Sequence, residues 1–223
     1  MKYQIRKELS FCRTAGRLIF LDIEQDRYFH LSSELESQFL AFIETCGDPD
    51  LATIDLLDAG LIVESESEGE LPNSSSVPIP SRSVLELPDC ELAAQMSAHV
   101  HVWTAVVQAR LHLKKHRLQD ILAATSRYRL RMTDSSTSPD AEQRTLAAAA
   151  EFNRLRRSVP IDTRCLIDSI AMTRYLARQH LYTNIVFGVC ADPFSAHCWV
   201  QSGSVVLNDT VGNVLCHTPI RVI

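Results

Sequence analysis

The tightest constraint on how this chain folds lies in its last quarter. There a helix start, Pro160-Ile161-Asp162-Thr163, is followed by two short β-rich runs, 196–201 and 205–209, joined by Ser202-Gly203-Ser204. Asp162 or Thr163 serves as N-cap, and the helix is expected over 164–180. The two runs read as a hairpin. A three-residue loop pairs Gln201 with Val205 and Trp199 with Leu207, and it sets His197 opposite Asp209 on one face. A slip of one residue turns Asp209 to the other face, so the expected arrangement rests on that loop length. The same alternation sends Cys198 to the face opposite His197.

Cys165 falls in the first turn of the expected helix, where unpaired N–H groups and the positive end of the helix dipole favour a thiolate and can hold an oxyanion. A thiol attacks a carbonyl as thiolate, so it needs an imidazole to take its proton and a carboxylate to orient that imidazole. Cys165, His197 and Asp209 supply these three groups in that order. The competing readings are a buried structural cysteine and a structural His–Asp pair. Zinc held by Cys190, His197, Cys198, Cys216 and His217 is disfavoured, because no Cys-x-x-Cys pair exists and alternation separates His197 from Cys198. His99, His101, His112 and His116 form a second histidine group. His112 and His116 lack the intervening glutamate of a zinc protease and, with Lys114, Lys115 and Arg117, read as a solvated basic face.

The front of the chain has another texture. Apolar runs at 18–23 and 27–31 flank Glu24-Gln25-Asp26 and predict a hairpin. A helix follows, capped by Ser32 or Ser33, with Leu35, Phe39, Phe42 and Ile43 as its apolar stripe. A shorter helix at 51–57 and a strand at 61–63 complete a small winged-helix-like module over residues 1–63. Residues 64–88, acidic and then rich in Ser and Pro, read as a linker that frees this module to move. From Cys90 to about Arg131 the chain is expected to be helical, with Leu92, Met96, Val100, Trp103, Val107 and Leu111 at three- and four-residue spacing. A break at 133–140 and an Ala-rich helix at 141–157 follow, and these helices are expected to surround the Cys165 helix and the C-terminal sheet. The fold class is therefore α+β.

A chain of 223 residues with 46% hydrophobic content is long enough for a buried core. The net charge of −5, with both signs interspersed, gives no reason to expect nucleic acid or a membrane surface as partner. Seven irregularly spaced cysteines make no disulfide framework, the N-terminus shows no signal-peptide core, and no apolar stretch reaches transmembrane length. The expected location is the cytoplasm.

Four separated blocks carry a resemblance: Cys165-Leu166-Ile167-Asp168-Ser169, Phe187-Gly188-Val189, Pro193-Phe194-Ser195-Ala196-His197-Cys198-Trp199-Val200, and Val206-Leu207-Asn208-Asp209. In order and spacing they resemble the lasso-peptide maturation protease, the B protein, whose catalytic domain is transglutaminase-like. The resemblance covers about the last sixty residues, and it departs at Gln201, where an acidic residue is expected. It implies a leader-recognition module at 1–63 joined to a papain- or transglutaminase-like cysteine protease domain at 89–223. It further implies Cys165 as nucleophile, His197 as general base and Asp209 as orienting acid. The implied reaction is removal of the leader from a ribosomally made precursor peptide, with a threonine next to last in that leader. An asparagine-synthetase-like lasso cyclase then closes the ring. No cofactor or metal is implied for this chain, and any ATP requirement would enter through the cyclase. The front module resembles leader-recognition elements that bind the leader as an added strand, here along Arg27, Tyr28, Phe29, His30 and Leu31. Two rival readings are transfer of the acyl group to an amine by the same triad, and a non-catalytic precursor-binding scaffold.

Overall fold

The computed structural model describes residues 2–45, 54–65, 77–87, 96–133 and 140–223. The parts of the expected second helix, linker, helical stretch and helix break at 51–53, 66–76, 88–95 and 134–139 lie outside the described residues.

The front module holds β1 (Lys2–Ile5), β2 (Leu9–Thr14), β3 (Arg17–Asp22), β4 (Arg27–Phe29), α1 (Ser33–Glu44), α2 (Ile54–Asp58) and β5 (Ile62–Ser65). The expected hairpin is β3–β4, with Asp22 opposite Arg27 and Phe20 opposite Phe29. Its turn is fixed by Asp22, whose Oδ1 accepts from the N–H groups of Glu24 and Gln25, an Asx turn buried under Arg6. Ser32 is the cap of α1, its Oγ accepting from Leu35 N–H at 3.3 Å. β1 and β2 were not expected from the sequence. β1 pairs with β5, and β2 completes a three-stranded sheet in the order β2-β3-β4.

Nearly every residue of β3 is buried, because both of its faces are covered. Leu18 and Phe20 join Phe39, Phe42 and Leu56 in the front core, whereas Ile19, Leu21, Ile23 and Cys12 pack into the core of the rest of the chain. The junction is also pinned by Arg221, whose guanidinium donates to Lys7 O, Glu8 O and Ser10 Oγ. The freedom expected of the front module is corrected by this shared core. The expected linker is corrected at its end as well: β6 (Arg82–Ser83) runs parallel to the strand Val205–Val206, and Val84–Glu86 form a 3-10 turn with Val84 buried.

The remainder comprises α3 (Met96–Lys115), α4 (Leu118–Met132), α5 (Ala141–Arg156), α6 (Cys165–Arg178), β7 (Asn184–Ala191), β8 (Phe194–Ser202), β9 (Val205–Val206), α7 (Val211–Leu215) and β10 (Thr218–Val222). The five strands order as β10-β7-β8-β9-β6, antiparallel except for β6 beside β9. α6 lies across one face, embedded among α3, α4 and α5.

The apolar stripe read on α3 does not face the core: Val107 is half-buried, and Leu92 lies outside the described residues. Met96, Val100, Trp103 and Leu111 are exposed, and the buried residues are Ala98, Val102, Ala105, Val106 and Ala109. The buried face of α3 is made of alanines and valines, small enough for a helix packed against α6, and the bulkier Met96, Trp103 and Leu111 turn outward.

Two further corrections bear on the site. Arg164, with no side-chain cap bond, precedes α6 in place of Asp162 or Thr163, and Cys165 is the first helical residue. The β8–β9 loop has two residues: Ser202 pairs with Val205 and Gln201 with Val206. Gly203, at φ +55°, fills the first central position of that loop, which glycine takes without steric cost.

Candidate active site

The two-residue loop should have turned Asp209 away from His197, yet the two side chains are hydrogen-bonded, His197 Nε2 to Asp209 Oδ2. The reason is that β9 stops early. Leu207 N–H still donates to Val200 O, but Val200 N–H is taken by the Asn208 side chain at 2.7 Å, and the main chain then leaves the ladder. Asn208 Nδ2 continues to Ser169 Oγ, which donates to Cys198 O. One asparagine thus replaces the missing strand and frees Asp209 to bend back over His197. Asp209 is then held on three sides: Thr210 N–H donates to Oδ1, Asn213 Nδ2 on α7 donates to Oδ2 at 2.9 Å, and Ser83 Oγ donates to its backbone carbonyl.

Where β9 departs, the edge of β8 lies open to the start of α6. Val200 turns its N–H and C=O toward that edge, and Cys198, two residues earlier, does likewise. The thiol of Cys165 sits there, near enough to the His197 side chain and to the N–H groups of Cys198 and Leu166 for each of them to favour its thiolate. With Nε2 committed to Asp209, Nδ1 is the ring nitrogen left to face the sulfur. The three residues singled out from the sequence are thereby brought together. Cys165 is exposed, and His197 and Asp209 are half-buried.

The electrostatics suit a thiolate–imidazolium pair. The His197 hydrogen bond lowers the Cys165 pKa against the opposing effect of burial, and the N–H groups of Cys198 and Leu166 lower it further. The His197 pKa is pushed up to about 9, first by its bond to Asp209 and next by the thiol. Burial alone would raise Asp209, but its bonds from His197, Thr210 and Asn213 prevail and hold its carboxyl below the ordinary 3.8. Cys198 is buried on the opposite face, and burial pushes its thiol far up, so it is no rival nucleophile.

Some residues that position this trio, Asp168, Gly188, Trp199 and Asn208, stand in the blocks singled out from the sequence, where no role was read for them, whereas Arg156 and Asn213 lie outside those blocks. Buried Arg156 donates to Asp168 Oδ1 at 2.6 Å and to the Ile161 carbonyl at 2.9 Å, tying the loop before Cys165 to the first turn of α6. Behind His197 lies the Trp199 ring, with centroids 6.1 Å apart. Trp199 Nε1 donates to Gln201 Oε1, and Gln201 Nε2 donates to the carbonyls of Pro78 and Gly203. A carboxylate could not make those last two bonds, which accounts for an amide at 201. Gly188 is needed for close approach: a Cβ there would lie 2.7 Å from the Trp199 ring and 3.0 Å from His217 Cβ. Asn208 stands in the last of the four blocks with no role read for it there, and Asn213 carried no motif signal.

The residues expected to bind a leader occupy β4 and the turn after it. β4 is the outer strand of its sheet, and among the described residues nothing pairs with its free edge. Phe29 and Leu31 pack into the front core, Arg27 lies over the Phe29 ring, and His30 Nδ1 is 3.0 Å from Leu18 O. Tyr28 turns the other way, against the core of the rest of the chain and 5.8 Å from the ring of Phe194, three residues before His197. With both side-chain faces engaged, backbone groups are what this edge offers. His112 on α3 and His116 just past its end bring their ring centroids to 5.7 Å, and among the described residues no three His, Cys, Asp or Glu side chains converge as a metal site. Among the described residues no helix is long and apolar enough to cross a membrane.

A family model described as the transglutaminase-like superfamily matches residues 101–222, more than half of the chain. No curated protein and no solved structure matches it. The matched span takes in Cys165, His197 and Asp209.

Proposed function

The chain belongs to the transglutaminase-like superfamily, whose members are typically cysteine peptidases or transglutaminases, and we propose that it is a leader peptidase of lasso-peptide biosynthesis. In this reading Cys165 attacks the carbonyl at the leader–core junction. His197, as imidazolium, protonates the leaving amine, and water then releases the leader from the thioester. Atoms balance: one peptide bond is broken, one water is consumed, and the core peptide gains a free N-terminus for an asparagine-synthetase-like cyclase. The observation that carries the chemistry is the bond from Asp209 to His197 together with a thiol at the first position of α6 whose pKa the His197 side chain lowers. The leader assignment is supported by the free edge of β4 and by the docking of that sheet beside the start of β8.

The test is incubation of the full chain with the precursor peptide from the neighbouring genes, with and without cyclase and ATP, beside Cys165→Ala. Cleavage at the leader–core junction that disappears in the variant is expected. Binding of precursor without cleavage under every condition would favour a scaffold. Transfer to an amine remains a second reading because the same acyl-enzyme serves both, and the product masses separate water addition from amine addition.

A further inference from the structure

A cavity of about 580 Å³ opens beside Cys165, between α3 and the loop leading into α6. Its walls combine apolar Leu113 and Ile161 with three cations, Arg110, Lys114 and Arg164, against a single anion, Asp162. None of the three cations forms an ion pair with a described residue. No residue of β8 or β9 lines the cavity, so it lies on the side of Cys165 away from His197. This placement has a chemical meaning. The leaving amine takes its proton from His197, so the part of the substrate beyond the scissile bond extends over the imidazole. The part before the bond, which becomes the acyl group, extends toward α3.

We propose that this cavity is an acyl-side subsite that takes an acidic side chain from the three residues preceding the scissile bond. The inference rests on Cys165 being the nucleophile. Uncompensated cations around a partly apolar cavity favour a carboxylate whose methylene stem covers Leu113 and Ile161, and they disfavour a lysine. The cations flank a half-open site, so each contributes modestly and the preference comes from their sum.

The test uses N-acetyl tripeptide chloromethyl ketones on an Ala-Ala-Ala frame, with Glu, Gln or Lys placed at each of the three positions in turn. The rate of alkylation of Cys165 in the full chain, which also exposes Cys216, is read by mass spectrometry of the peptide that carries Cys165 after digestion, with iodoacetamide as a reagent too small to need the cavity. At one position Glu should react about tenfold faster than Gln, with Lys slower than both. Arg110→Glu combined with Lys114→Glu should reverse the order. The exposed single change Lys114→Gln, which leaves packing untouched, should cut the Glu preference about threefold. Equal rates for Glu and Gln at all three positions, with iodoacetamide still modifying Cys165, would overturn the subsite. Failure of iodoacetamide and every peptide to modify Cys165 would overturn the nucleophile beneath it.

Discussion

Replacing Asp209 by Asn keeps the shape of the site and removes the charge that holds the His197 proton. Raising an imidazolium from 6.5 to about 9 corresponds to about 3 kcal/mol in favour of the protonated ring. Asp209 is the first contributor and the thiol the second, so Asp209→Asn should forfeit about 2 kcal/mol, or roughly thirtyfold in the population of the ion pair. The direct readout is the rate of iodoacetamide alkylation of Cys165 against pH. In the native chain the rate should rise with an inflection below the ordinary thiol value of 9.0, because the imidazolium stabilises the thiolate. In the variant the ring is neutral at pH 8, the inflection should move up toward 9, and hydrolysis should lose its plateau reaching to about pH 9. The stability profile carries the same signature. The raised His197 pKa contributes stability present below pH 6.5 and lost as pH rises through about 9. The lowered Asp209 pKa contributes stability present above 3.8 and lost as pH falls through its lower folded value. An alkylation profile identical in native chain and variant would refute the role assigned to Asp209.

Three further changes probe the support of the site. Gly188→Ala drives a Cβ into the Trp199 ring, which its bond to Gln201 keeps from retreating; a loss of about 1–3 kcal/mol, read by thermal denaturation, should accompany reduced turnover as His197 is displaced. Arg156→Met removes a buried cation paired with Asp168 and should cost about 3–5 kcal/mol, read by urea unfolding, with the loss centred on the Cys165 loop by hydrogen exchange. Asn213→Ala removes one of the bonds to Asp209 and should lower kcat about fivefold, with KM unchanged and the alkaline limb of the pH profile moved up, because a less satisfied carboxylate holds the His197 proton more tightly.

The trio was legible in the sequence because its chemistry is local: a cysteine at a helix start, and a histidine and aspartate near a turn. The way Asp209 reaches His197 was not. Alternation along an ideal hairpin demands a three-residue loop, whereas the chain uses a two-residue loop and breaks the ladder with the Asn208 side chain. A side chain substituting for a strand leaves no periodic signal. The α3 stripe misled for a related reason. Hydrophobic periodicity weights large residues, but the buried face of α3 is made of Ala98, Val102, Ala105, Val106 and Ala109, so bulk and burial separate. The hairpin at 17–29 was readable from its apolar runs and its acidic turn, while β1 and β2 are interrupted by polar residues and revealed only by their partners. The joining of the front module to the catalytic core was hidden because the apolar run of β3 serves two cores at once, and its sequence names neither.

The most direct test of Cys165 as an acyl-forming nucleophile is rapid-quench mass spectrometry of the full chain mixed with precursor, with the cyclase and ATP present. The expected result is a transient adduct on Cys165 whose mass is that of the leader acyl group, formed before free leader accumulates and absent in Cys165→Ala. Leader release that proceeds at the native rate in Cys165→Ala would contradict it.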